Sequence, residues 1–196
     1  ARLQGSRDAD KDQLDKLRKD RASNLNTALV YLEKSISLKN DYASAHFLSS
    51  QVYERQGNRE LAIQKTLETR NLNPLDTGVG YQLGLLYYLN SQTELARDEF
   101  ERVVSLSSTF SNARYFLGLS YDLLGSKDKA IKQFEEIEIF NPENSEVQKI
   151  LANLRAGKTA LSNIVPPATP PQERIAPPVS DNGGAGSQEL APVQGQ

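Results

Sequence analysis

Between Ser111 and Asn144 the apolar positions fall into two helical stripes separated by one break. The first stripe holds Ala113, Leu117, Leu119 and Tyr121, with Gly118 where a second helix has to approach closely. Gly125 interrupts it. Beyond the glycine, Ala130, Ile131, Phe134 and Ile137 keep one apolar face at helical period. Pro142 closes the unit, because proline cannot continue a helix interior. The pattern predicts a helix, a tight turn and a second helix.

The same unit recurs upstream without a gap. Residues 77–110 supply Leu83, Gly84, Tyr87, Ala96, Phe100, Val103 and Leu106, each 34 positions before its partner. Residues 43–76 supply Ala45, Tyr53, Gly57, Ala62, Leu72 and Pro74 in the same register. Tyr53, Tyr87 and Tyr121 are thus spaced by 34, and Ala28, Ala62, Ala96 and Ala130 extend the ladder to a fourth unit. A helix–turn–helix period of this length with this residue pattern resembles the tetratricopeptide repeat across Ala43 to Asn144. The resemblance implies an all-α solenoid, a right-handed superhelix of antiparallel helix pairs. Against the family pattern, Ser49 and Ser50 replace the usual Leu-Gly pair, Thr66 the second-helix aromatic and Ser108 the terminal proline. The first full repeat is therefore expected to pack most loosely.

The flanks are less regular. Residues 1–12 are polar and carry Gly5 and Ser6, which reads as a loop or frayed end. Residues 13–42 read as a degenerate or partial repeat. Leu14 and Leu17 are the only early anchors; Leu25, Ala28, Leu29, Leu32, Ser35 and Ile36 then form a second-helix stripe. The first helix of that repeat is either degenerate or continuous with the second. The partial repeat is either a solenoid cap or the cut edge of a longer array. Downstream, residues 145–157 continue the register as a capping helix, with Val147, Ile150, Leu151 and Leu154 on one face and Glu146, Lys149 and Arg155 on the other. Residues 158–196 read as a disordered Pro/Gly-rich tail, since seven of the nine prolines fall at or after Leu161. A PxxP match at Pro167 and Pro170 offers a ligand for an aromatic groove, although a plain spacer is the commoner role for such tracts.

Charge adds little. The formal net charge is -2, with nine basic and seven acidic groups in residues 1–42, ten and fourteen in 43–144, and four of each beyond. Sums this small steer neither nucleic acid nor an anionic membrane surface. No cysteine is present, so no disulfide, thiolate metal site or cysteine nucleophile is available, and the compartment stays open. No run approaches the roughly 18 apolar residues of a membrane span. A start at Ala1 and the absence of methionine read as a processed or excised fragment.

The chemistry of catalysis is missing from the pattern. His46 has no cysteine or second histidine beside it to make a metal set. Gly78 to Gly84 is glycine-rich at a helix start but follows no strand, so a phosphate cradle is not expected. Glu135 with Glu136, and Asp98 with Glu99 and Glu101, sit on second helices, which the family turns outward. No nucleophile, base and orienting group assemble, and neither enzyme activity, metal nor cofactor is expected.

What remains is the groove that the resemblance implies. In tetratricopeptide proteins the first helices line a concave face where partners lie. Carried over, the lining is Phe47, Gln51 and Glu54 in the first full repeat, Tyr81, Gln82, Leu85 and Tyr88 in the second, and Asn112, Tyr115, Leu119 and Asp122 in the third, with Lys149 and Asn153 of the capping helix extending it. Phe47, Tyr81 and Tyr115 are equivalent, either a ligand-gripping ladder or ordinary scaffold rings. The chaperone-tail clamp of some relatives is disfavoured, because its lysine, asparagine and arginine positions hold Phe47, Gln51, Gln82, Asn112 and Phe116. The expected function is a non-enzymatic scaffold or adaptor for a protein or peptide segment, with the oligomeric state open. An alternative comes from YQLGLLYY, ARYFLGLSYD, ILANLRAGK and the proline-rich tail, which are similar to C-terminal repeat segments of bacterial O-antigen ligase-like membrane proteins. That resemblance implies an accessory domain of a cell-envelope glycan enzyme, tethered through a region upstream, whose groove meets a glycan or partner subunit. A third reading folds the tail into its own groove as an autoinhibitor.

Overall fold

A computed structural model of the chain describes residues 2–164, with side chains from Lys11 onward. Those residues form eight α-helices and no strand. The proline-rich tail and its PxxP match lie in 165–196, outside the described residues. The chain divides into two compact units, Ala1–Asn73 and Pro74–Gln196, and each is taken by itself.

The first unit contains α1 (Arg2–Leu38), α2 (Ala43–Arg55) and α3 (Arg59–Leu72). α1 is a single helix of 37 residues, so the polar start is helical backbone and not the loop its composition suggested. No proline interrupts it, and one glycine inside a helix costs only about 1 kcal/mol. Leu25, Ala28, Leu29, Leu32, Ser35 and Ile36 are half-buried and turn toward α2, whereas Leu14 and Leu17 are exposed. The interior of the α2–α3 pair is small and polar. Ala45, Ser49, Ser50, Ala62, Thr66 and Thr69 fill it, and the hydroxyls of Ser49 and Thr66 donate to the carbonyls of Ala45 (2.7 Å) and Ala62 (2.8 Å). Those intrahelical bonds let polar side chains replace the family's larger residues without an unmet donor. His46 is buried too, its Nε2 2.8 Å from the Asn40 carbonyl. Its Nδ1 stands 2.8 Å from Glu68 Oε2, close enough for charge attraction but off the hydrogen-bonding direction. The histidine thereby ties the α1–α2 turn to α3.

The second unit contains α4 (Thr77–Leu89), α5 (Thr93–Leu106), α6 (Ser111–Leu123), α7 (Lys127–Phe140) and α8 (Ser145–Arg155). α4 pairs with α5 and α6 with α7, while α5 packs on α6 and α7 on α8. Its core is apolar. Phe100 and Phe134 are completely buried, each contributing roughly 2–3 kcal/mol of apolar burial. They lie where the facing helix carries glycine: a β-carbon on Gly84 would stand 2.6 Å from Phe100 Cε1, and one on Gly118 2.6 Å from Phe134 Cε2. Small-on-large packing at 34-residue spacing thus sets the approach of both pairs. Val147, Ile150, Leu151 and Leu154 bury the inner side of α8, and Lys149 and Arg155 face outward.

Every first helix ends in the same joint. Asn58, Gln92, Ser126 and Lys158 each donate a backbone N–H to the carbonyl five residues back, on Tyr53, Tyr87, Tyr121 and Asn153, at 2.8–2.9 Å. This is the Schellman closure, which needs a left-handed residue just before the donor. Gly57, Gly125 and Gly157 take it at φ 77°, 74° and 74°, and Ser91 takes it at 59°. After the last joint the chain stays ordered. Residues 158–164, assigned by composition to the disordered tail, form turns against α6 and α8, with Ala160 only 1% exposed.

Candidate functional site

The proposed lining residues separate by unit and by depth. Phe47 and Gln51 sit half-buried on α2 of the first unit. In the second unit, Tyr81, Gln82 and Tyr88 of α4 are half-buried and reach the surface, whereas the Asp122 side chain of α6 is largely enclosed. Leu85, Asn112, Tyr115 and Leu119 are buried, at 7%, 4%, 5% and 5% exposure, so they are floor and not open contacts.

Tyr115 shows why. Its hydroxyl donates to Glu146 at the start of α8, and its ring meets Phe134 edge-on at 5.6 Å between centroids. The capping helix covers the position that the family pattern leaves on the groove. Of the expected aromatic ladder, Tyr115 is thus the buried and hydrogen-bonded ring.

Phe116, which entered the sequence reading only as a departure from the chaperone-tail clamp, is 3% exposed and sits among the other rings. Tyr81 (6.1 Å), Tyr88 (5.5 Å), Phe100 (5.8 Å) and Tyr115 (5.4 Å) all meet it between centroids. Tyr81 also lies 5.2 Å from the Phe110 ring. Tilted, edge-on and offset-stacked contacts of this kind hold aromatic side chains in fixed rotamers, each adding about 0.5–1.5 kcal/mol beyond area burial. Tyr81 and Tyr88 are consequently rigid where they emerge. Burial, reinforced by the nearby Asp122 charge, pushes the Tyr88 phenol above its ordinary pKa, so it stays a neutral donor.

Asp122 is already engaged. Its Oδ2 accepts from the Ala160 backbone N–H at 2.7 Å, and Lys127 Nζ lies 3.5 Å from Oδ1. Asn153 of α8 donates from Nδ2 to the carbonyls of Ala160 (3.0 Å) and Ser162 (2.7 Å). Elsewhere in the unit, α5, α6 and α7 bound a shallow depression lined by Leu117 and Tyr121 among others. There the Tyr121 hydroxyl donates to Glu101, and Arg114 donates to the Ser108 carbonyl and Gln133. Among the described residues no helix is long and apolar enough to cross a membrane, and no group of three or more histidine or acidic side chains could hold a metal ion.

Helix pairs repeated every 34 residues, glycine set against phenylalanine, and a common closing turn define the tetratricopeptide-repeat fold. The family model described as "Tetratricopeptide repeat" matches residues 111–140, the α6–α7 pair. The chain is similar to "Uncharacterized protein ycf37" of Cyanophora paradoxa, with 26% identity over 124 residues, 63% of this chain and 70% of that protein. Among solved structures, MamA superposes with a TM-score of 0.62 at 21% identity, over 71% of this chain and 82% of MamA. YrrB, described as a TPR protein with an unusual peptide-binding site, superposes at 0.63 and 21% identity, over 72% and 75% of the two chains. The first TPR of Spaghetti, bound to an HSP90 peptide, superposes at 0.53 and 18% identity, over 59% and 94%. At these identities the structural likeness speaks for the fold.

Proposed function

We propose that this chain is a non-enzymatic scaffold that binds a protein or peptide segment across the first helices of the second unit. The observation that carries the reading is the α4 surface: Tyr81, Gln82 and Tyr88 emerge, rigidly braced, above a floor of Leu85, Phe116 and Leu119. Two tyrosine rings and an amide beside apolar carbon suit a peptide's main chain and uncharged side chains better than a terminal carboxylate. Aromatic residues held this way lose little entropy on binding, which is why they anchor interfaces. YrrB and Spaghetti, described with peptide sites, support this use of the fold.

The test is selection of a displayed random-peptide library against the full chain, followed by Gln82→Ala and Tyr88→Ala. Selected peptides should bind at least about tenfold more weakly to each variant, a loss of about 1.4 kcal/mol, with helical circular dichroism retained. Equal binding to wild type and both variants would move the site elsewhere. The accessory-domain reading rests on sequence resemblance, and none of the relatives named above is described as a glycan enzyme. Membrane partitioning of the native gene product tests it.

A further inference from the structure

α1 leaves open a face that the other second helices bury. α3 packs on α2, the first helix of its own repeat, and hides Ala62, Thr66 and Thr69. α5 and α7 hide the equivalent three positions completely. In α1 the matching residues, 34 positions before those of α3, are Ala28, Leu32 and Ser35. They are only half-buried, because α2 is the first helix of the next repeat and covers α1 from one side. Where the other repeats turn back into a first helix, α1 simply continues, so the place of its own first helix is open.

The same helix supplies a segment that fits there. The Gln56 amide donates to Asn26 Oδ1 at 2.9 Å, so α2 ends level with Asn26 while α1 runs on. Between Lys11 and Asn24 the side chains of α1 are exposed, apart from a half-buried Asp15. A short helix in water gains little from its own hydrogen bonds and is held by packing an apolar stripe. This one carries such a stripe. Leu14 and Leu17 are more than half exposed, and so are Tyr31 and Leu38 further along. With Arg21, Asn24, Ala28 and Ser35 between them, these residues are spaced alternately by three and four, the seam of a two-helix coiled coil. Ala28 and Ser35, which face the vacant place, belong to the same seam.

We propose that two copies of the chain pair antiparallel through α1, residues 11–24 of each standing as the missing first helix against residues 25–38 of the other. The seam is self-complementary in that direction. Leu14 meets the second copy's Leu38, Leu17 its Ser35, Arg21 its Tyr31 and Asn24 its Ala28, each contact made twice by symmetry. Arginine against a tyrosine ring gains cation–π attraction, and an asparagine in a seam fixes its register. Beside the seam, Asp20 comes opposite Lys34 of the second copy, again twice. Charge selects the direction as well. Antiparallel pairing lays residues 11–21, with five basic and three acidic groups, along 31–41, with two of each; parallel pairing lays 11–21 against itself. The inference stands apart from the peptide-binding reading and sets two copies of that face on one particle, which raises the avidity of a ligand carrying two sites.

Sedimentation equilibrium of the full chain should show a concentration-dependent monomer–dimer equilibrium. Leu17→Glu combined with Leu38→Glu should weaken the dimer at least about a hundredfold, since four leucines then leave each seam. Both leucines are exposed in the single chain, so the cooperative melt of the repeats should survive. Direction is read with cysteine, of which the chain has none. Leu17→Cys mixed with a mass-tagged Ser35→Cys should oxidise to a disulfide between the two variants, and neither should cross-link with itself. A chain that sediments as a monomer up to its solubility limit overturns the proposal, as does a dimer that the double variant leaves intact. Cross-linking of Leu17→Cys with itself, or failure of the mixed pair to cross-link, overturns the antiparallel seam and the proposal with it.

Discussion

Gly118 lies so close to Phe134 that a β-carbon there would stand 2.6 Å from Cε2, inside any tolerable contact. The ring is fully buried and cannot swing aside. Gly118→Ala should therefore destabilise the second unit by about 1–3 kcal/mol, the usual range for overpacking a close-packed core. Urea unfolding should show a lower midpoint, and Gly84→Ala should behave alike against Phe100.

Ser91 holds the left-handed joint at φ 59° that glycine holds in the repeats on either side. A non-glycine residue there carries about 1–2 kcal/mol of strain. Ser91→Gly should relieve it, less about 0.4–1 kcal/mol for the freer unfolded chain. The net expectation is a modest gain, measured as a rise of a few degrees in melting temperature.

Burial, with the hydrogen bond to Glu101 and the charge of that carboxylate, pushes the Tyr121 phenol up to about 12. Its folded pKa exceeds the ordinary value of 10, so folding favours the protonated form. That stabilisation is complete below pH 10 and is lost as pH rises from 10 through about 12. Tyr121→Phe should flatten this part of the stability profile relative to wild type.

Glu68 shifts the other way. Burial raises its pKa, but hydrogen bonds from Lys65 and Gln64 and the charges of Lys65 and His46 outweigh that and leave it lowered. The stabilisation it gives is present at neutral pH and fades as pH falls below the normal carboxylate range. Glu68→Gln should reduce the acid sensitivity of the first unit in a urea titration between neutral pH and pH 3.

Tyr115 and Tyr88 separate scaffold from surface. Tyr115→Ala removes a buried ring and should cost roughly 3–5 kcal/mol, lowering helicity and stability together. Tyr88→Ala should lower helicity far less, because the side chain is only half-buried. Thermal melts of the two variants compare them directly.

The 34-residue ladder placed the helices of the full repeats with little left over: α2, α4, α6 and α8 begin at Ala43, Thr77, Ser111 and Ser145, where the units begin. That part was legible because alanine, glycine and aromatic positions recur wherever two helices have to touch. The start of α1 was not, since its polar sequence carries no amphipathic stripe for the pattern to report. The depth of Tyr115 was hidden as well, for it depends on Glu146 in the following unit. Residues 158–164 look like the start of a polar tail, and their order comes from Asp122, 38 positions before Ala160.

The joint at Gly157 has a consequence for the length of the protein. It closes α8 with the same turn that elsewhere leads into a second helix, yet here Lys158 meets Lys127 at the start of α7 and Ala160 meets Asp122 of α6 instead. Among the described residues the joint after α8 is thus an open coupling, and a helix pair duplicated in phase and grafted at Lys158 would meet a backbone already shaped to receive it. Lengthening such a chain by gene duplication asks for no new hinge, only for the displacement of seven residues.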